Sequence, residues 1–164
     1  EASFITTIPA TVYGPGDNFN LEEAHVLSAL IARLQAAQET GQTEITLWGS
    51  GKPKREFLFS DDLAQACDLL LAQYDESEPI NVGSGQVVSI RGLAQEIAEV
   101  IGFQGQILWD RSRPDGTPEK TLESSGIHQL GWSAQTPLRL GVEQTVAWYL
   151  EHSRQTQSQL EVGL

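Results

Sequence analysis

Short β-type runs alternate with amphipathic helical stripes along this chain, and that alternation restricts it to an α/β architecture. Phe4 to Ile8 is an apolar, β-branched run that reads as a buried strand stopped by Pro9, and Tyr13-Gly-Pro-Gly-Asp17 reads as a turn. From Ala24 to Thr40 the apolar residues Val26, Leu27, Leu30, Ile31, Leu34 and Ala37 fall at helical spacing, closed by Gly41. Glu44 to Trp48 alternates like a half-buried strand, and Gly49 to Arg55 reads as a loop. Asp61 or Asp62 is placed to cap a helix whose stripe is Leu63, Ala66, Cys67, Leu70 and Leu71. Cys67 on that stripe reads as a small core hydrophobe rather than a reactive thiol. Ile80 to Val82 is a short strand leading into Gly83-Ser-Gly85. Ser89 caps a helix through Leu93, Ala94, Ile97, Val100 and Ile101 that Gly102 ends. Ile107 to Trp109 is a further strand, and Pro114-Asp-Gly-Thr-Pro118 is a rigid loop. Helices follow over Ser124 to Leu130 and Leu138 to Glu151, and the polar stretch from Ser153 to Leu164 is expected to fray.

At 164 residues the chain is long enough for one domain with a real core. The 10 Lys+Arg against 22 Asp+Glu give a formal net charge of -12, which argues against polyanionic partners such as nucleic acid or a membrane surface. No apolar run approaches the ~18 residues of a membrane span. The single cysteine excludes an internal disulfide framework and a thiolate zinc site. No metal site is expected, and the default compartment is the cytoplasm. The cations concentrate at Lys52, Lys54 and Arg55 and again at Arg111, Arg113 and Lys120. Clustered cations on an acidic body suit a small anionic ligand, but solvated loops cluster charge too, and composition leaves both readings open.

The chain lacks a self-contained catalytic set. Gly83-Ser-Gly85 lacks the third glycine of a dinucleotide fingerprint, and Gly49-Ser-Gly51-Lys52 has neither the spacing nor the Ser/Thr of a P-loop. His25, His128 and His152 lie far apart, no Gly-x-Ser-x-Gly elbow exists, and no tyrosine is followed four residues later by lysine.

Several stretches together resemble the GDP-L-fucose synthase family of extended short-chain dehydrogenase/reductases. They are Pro9-Ala-Thr-Val-Tyr-Gly-Pro15, Asp17-Asn-Phe19, His25-Val26, Trp48-Gly-Ser-Gly51, Arg55-Glu-Phe-Leu58, Asp61-Asp62, Ile80-Asn-Val-Gly-Ser-Gly85 and Pro114-Asp-Gly-Thr-Pro118. The resemblance runs from about Phe4 to Tyr149 and matches the carboxy-terminal half of that family. It implies a C-terminal substrate-binding domain with the last elements of a Rossmann sheet. The missing N-terminal Rossmann core would carry most of the NADP site and the catalytic Ser, Tyr and Lys. On this reading residues 1–152 form a nucleotide-sugar-binding domain, residues 1–15 and 55–90 pack on the missing half, and 153–164 is a tail. A start at Glu1 rather than methionine fits a piece of a longer protein.

The resemblance also implies roles. The family epimerises both carbons flanking a ketone in GDP-4-keto-6-deoxy-mannose and then reduces the ketone with NADPH. His25 matches the epimerisation acid, and imidazole suits proton exchange near neutral pH. Arg33, Trp48, Arg55, Asp115 and Lys120 match nucleotide-sugar contacts. Arg55 is the diphosphate fork, and Asp115 an acceptor for guanine. Pro9, Ala10, Thr11 and Val12, with His25, match the nicotinamide wall. Two departures stand out: Thr11 where asparagine is usual, and Glu119 where a basic residue is usual. The resemblance implies a GDP-sugar substrate, the chain's own Rossmann domain as partner, a homodimer at full length and no turnover by the isolated chain. The alternatives are a related epimerase/dehydratase acting on another nucleotide-sugar and a non-catalytic nucleotide-sugar-binding module.

Overall fold

A computed structural model describes residues 4–162, with side chains as far as Ser153. The order is β1 (Thr7–Pro9), β2 (Thr11–Tyr13), α1 (Val26–Glu39), β3 (Glu44–Trp48), β4 (Lys54–Phe59), α2 (Ser60–Gln73), β5 (Ile80–Val82), β6 (Val87–Ser89), α3 (Ile90–Ile101), β7 (Gln106–Asp110), β8 (Glu119–Lys120), α4 (Ser125–Gln129) and α5 (Leu138–Val162). This is α/β with more helix than strand, and its sheets are partial. β1 pairs β5 and β3 pairs β7, both in parallel; β4 takes β2 and β8 in parallel and β6 antiparallel.

β4 is the strand around which the rest is arranged. Side chains on a strand alternate between faces. Phe57 and Phe59 enter one core with Tyr13, Leu27, Ile31, Leu34, Leu93, Ile97 and Val142, while Leu58 enters a second with Leu70, Val82, Ile127 and Trp132. Tyr13 meets Phe57 and Phe59 edge-on, with ring centroids 6.2 and 5.6 Å away. Burial and the nearby Asp62 charge push the Tyr13 hydroxyl well above an ordinary tyrosine.

The helical stripes of α1 and α3 form as their spacing predicts. Ser89 accepts from the Gly92 amide at 3.0 Å, and Gly102 closes α3 at φ 80, a left-handed geometry natural for glycine. The β3, β5 and β7 strands stand where their patterns place them, β7 one residue longer at each end.

Other expectations are corrected. The first strand is Thr7–Pro9, not a buried Phe4–Ile8: Phe4 is 86% and Ile8 45% exposed, because only β5 flanks β1. The turn begins at Gly14, since Tyr13 is held in β2 by β4. The loop after β3 ends at Pro53; Lys54 and Arg55 are already strand, drawn in by pairing with β6 and β8. Neither Asp61 nor Asp62 caps α2, whose N-cap is Phe59. The buried Asp62 carboxylate instead accepts from the Gln135 and Thr136 amides at 3.1 and 3.0 Å. Leu71 is not on the buried stripe but 76% exposed, and Cys67 is half-buried at the stripe's margin. The last helix continues to Val162, so the stretch from Ser153 is helical rather than frayed; Gly163 and Leu164 lie outside the described residues. Among the described residues no helix is long and apolar enough to cross a membrane.

Candidate functional site

Backbone pairing alone sets three predicted site segments side by side. Thr11 stands opposite Phe57 in the β2–β4 ladder, and Arg55 stands opposite Lys120 in the β4–β8 ladder. Together with the start of α1 they enclose a cleft of about 780 Å³, lined by Pro9, Ala10, Thr11, Val12, His25, Arg55, Glu56 and Lys120 among others. Seven of those eight positions are sequence-predicted site residues; Glu56 is not.

His25 is the N-cap of α1, exposed, and its imidazole makes no capping bond. Its place is set by the segment before it. The Asp17 carboxylate accepts from the Ser28 hydroxyl inside α1 and from the Asn18 amide at 2.7 Å. Phe19 packs on Trp148 and Tyr149 of α5, with centroids 5.9 and 4.6 Å away. The Asp-Asn-Phe stretch thus fastens the approach to His25 at both ends.

Arg55 donates from Nη1 to the Lys54 and Thr117 carbonyls at 2.6 and 2.8 Å. Its Nε and Nη2 have no protein acceptor among the described residues, which leaves donors for a ligand anion. Glu119 pairs with Lys54 at 3.7 Å on the exposed rim, so its charge meets a neighbouring lysine.

Glu56, only 2% exposed, accepts from the Gly85 amide with Oε1 and from the Leu122 amide with Oε2, both at 2.8 Å. It ties two separate loops to β4 and so fixes the wall that carries Lys120. Gly83 makes room for it: a Cβ there would lie 2.4 Å from Glu56 Oε1 and 2.5 Å from Ser124 Oγ. The sequence signal was a lone acid entering the Phe-Leu-Phe run, with no outward periodicity to mark it as buried.

Arg33, Trp48 and Asp115 do not line the cleft; they gather in a neighbouring cluster. Trp48 is 62% exposed, and the guanidinium carbons of Arg33 and Arg113 lie 5.0 and 5.2 Å from its ring centroid. Asp115 accepts from the Ser50 amide at 2.8 Å and the Ser50 hydroxyl at 2.6 Å. Those two bonds hold its carboxyl below the usual aspartate range. Arg91 grips the same loop from the other side, donating from Nη2 to the Ser50 carbonyl and from its amide to the Gly51 carbonyl, each at 2.8 Å. It also lies 4.7 Å over Trp109. The loop from Arg111 to Pro118 connects the two places, because Thr117 binds Arg55 while Asp115 binds Ser50.

The sequence profile of the NAD dependent epimerase/dehydratase family matches residues 1–83. The chain belongs to that family. Within it, the chain is 49% identical to GDP-L-fucose synthase 1 of Arabidopsis thaliana over 148 residues, 90% of this chain and 46% of the relative. It is 40% identical to the GDP-L-fucose synthase of Escherichia coli, over 90% of this chain and 49% of the relative. A crystal structure of a GDP-L-fucose synthetase from Naegleria fowleri bound to NADP superposes with a TM-score of 0.87 at 36% identity, over 92% of this chain and 46% of that one. The chain therefore spans about half the length of the relatives it matches, and it shares their α/β fold over that half.

Proposed function

We propose that this chain is the substrate-binding part of an NADPH-dependent epimerase/reductase that converts GDP-4-keto-6-deoxy-mannose to GDP-L-fucose. The observation that carries the reading is the single cleft that gathers Pro9 to Val12, His25, Arg55 and Lys120. The names of the relatives support the GDP-sugar, and the NADP held by one solved relative supports the cofactor.

In this reading Arg55 receives the diphosphate with the donors its carbonyl partners leave over, and Lys120 adds charge beside it. Pro9, Ala10 and Val12 offer a small, apolar wall that fits a flat nicotinamide ring, and Thr11 adds one hydroxyl to that wall. When bound, the cofactor supplies the hydride that reduces the ketone. The described residues fit only its nicotinamide end, since none forms the glycine-rich turn that would hold its phosphates.

Inversion at a carbon beside a ketone needs proton transfer on both faces of the sugar. His25 provides one proton-transferring group at the rim of the cleft. On this reading the second group comes from a partner domain, as does the Tyr/Lys pair for reduction. The exposed Phe4, Ile8 and Leu71 support a further domain packed on residues 1–15 and 55–90. The whole enzyme is a homodimer on this reading, and the isolated chain binds but does not turn over.

Calorimetric titration of the chain with GDP and with UDP tests the reading. Tighter GDP is expected; tighter UDP would transfer the chain to an enzyme of another nucleotide-sugar. GDP-L-fucose formed by this chain alone from NADPH and the keto-sugar would refute the division of labour.

A further inference from the structure

We infer that Trp148 of α5 is a positioning residue for His25: by holding Phe19 it fixes the loop that delivers the imidazole to the cleft. The inference rests on the nucleotide-sugar reading for what His25 does there, while the positioning itself is measured without a ligand.

His25 needs such a device. No strand or helix stands between Tyr13 and Val26, and the imidazole is exposed and makes no capping bond to α1. A group that exchanges protons must be held to within about 0.5 Å of its working place. Inside the loop, the Asn18 and Asn20 side chains accept from the Asn20 and Glu22 amides at 2.9 and 3.1 Å. The Asn20 carbonyl accepts from the Glu23 and Ala24 amides at 3.0 and 2.7 Å. These local bonds curl the loop on itself, but they do not set where it lies on the body.

Two contacts dock it. Asp17 accepts from the Ser28 hydroxyl, which ties the loop to the helix that His25 begins. Phe19 makes the tie to a different element. Its ring stacks on Trp148 at 5.9 Å and 21°, and lies 4.6 Å from Tyr149. Leu21, the loop's other large apolar side chain, stays 52% exposed.

The pattern of α5 singles out Trp148. Val142, Thr145, Val146, Tyr149 and Leu150 follow the i, i+3, i+4, i+7, i+8 stripe that seats the helix on the larger core. Trp148 falls off that stripe, so the helix does not need it for its seat. Among the described residues its ring contacts are Phe19 and His152. The His152 ring, one turn further on, stacks on Trp148 at 4.0 Å and 15°, with Nδ1 2.9 Å from the Trp148 carbonyl. An indole already held by its neighbour loses little rotamer freedom when Phe19 docks on it.

The test is NMR on the 164-residue chain. Order parameters from Phe19 to His25 are expected at about 0.85 in the unaltered chain and below about 0.6 in Trp148→Ala, with the interiors of α1 and α5 unchanged. Trp148→Phe is expected to restore them, since a phenyl ring can still stack. In a titration with GDP-mannose, Trp148→Ala is expected to lose the shift at His25 and keep those at Arg55 and Lys120. A tryptophan that served only stability would move all three or none. Phe19→Ala removes the same contact from the loop side and leaves α5 intact. It should reproduce both results, and it decides the matter where Trp148→Ala does not fold. Unchanged order at His25 in both variants, or a loop already disordered in the unaltered chain, would overturn the inference and leave the nucleotide-sugar reading standing. No response of the unaltered cleft to GDP-mannose would overturn that reading instead, and the order parameters would still decide the positioning.

Discussion

Asp115 and Ser50, 65 residues apart, are joined by two hydrogen bonds that close the loop after β3 onto the loop before β8. The resemblance assigned Asp115 to guanine, but in this structure its oxygens serve the chain itself. Because Ser50 favours the ionised form, the carboxyl titrates low. A lowered folded-state value means the clasp is fully present above the unfolded aspartate's value and is lost as pH falls through the folded one. The Ser50 amide resonance should therefore shift on acidification with a midpoint below that of an ordinary aspartate. A midpoint at or above the ordinary value would show that the clasp does not form in solution.

Glu56 makes a different prediction, because it is buried. In Glu56→Gln one oxygen becomes a donor that faces a backbone amide, at Gly85 or at Leu122. Leaving a buried donor unpaired costs about 1–3 kcal/mol. Denaturant unfolding should show a loss of that size, and Lys120 and Leu122 amides should exchange faster with solvent. A variant as stable as the parent would mean that the two loops do not depend on this carboxylate.

Gly141, inside α5, tests the packing of the larger core. Alanine is the better helix former by about 1 kcal/mol. Here a Cβ would lie 2.2 Å from the Tyr13 hydroxyl and 3.0 Å from the Phe59 ring, both buried. Overpacking of this kind costs about 1–3 kcal/mol, so Gly141→Ala should lower the melting temperature despite its propensity. A raised melting temperature would show that Tyr13 has room to move.

The helices and the strands β3, β5 and β7 were legible because each buries one stripe or alternates on one face. β4 was not. Lys54 and Arg55 look like loop, and the strand passes straight into α2 at Ser60 without a turn to mark its end. Its side chains feed two cores, so Phe57, Leu58 and Phe59 show no alternation of polarity. β2, β6 and β8 are two or three residues long and exist only as ladders beside β4. The site was legible as motifs rather than as geometry. Pro9 to Val12, His25, Arg55 and Lys120 converge on one cleft, whereas Arg33, Trp48 and Asp115 form a cluster of their own. The parts played by Glu56 and Asp17 were not legible because their work is to hold other groups, which leaves no spacing to read.

The cleft's identity as a nucleotide-sugar site is tested most directly by amide NMR during titration with GDP-mannose. The account predicts shifts concentrated at Thr11, Val12, His25, Arg55 and Lys120, with none in the separate groove of Gln95, Phe103 and Ile107. Shifts centred on that groove, or none anywhere at saturating ligand, would contradict it.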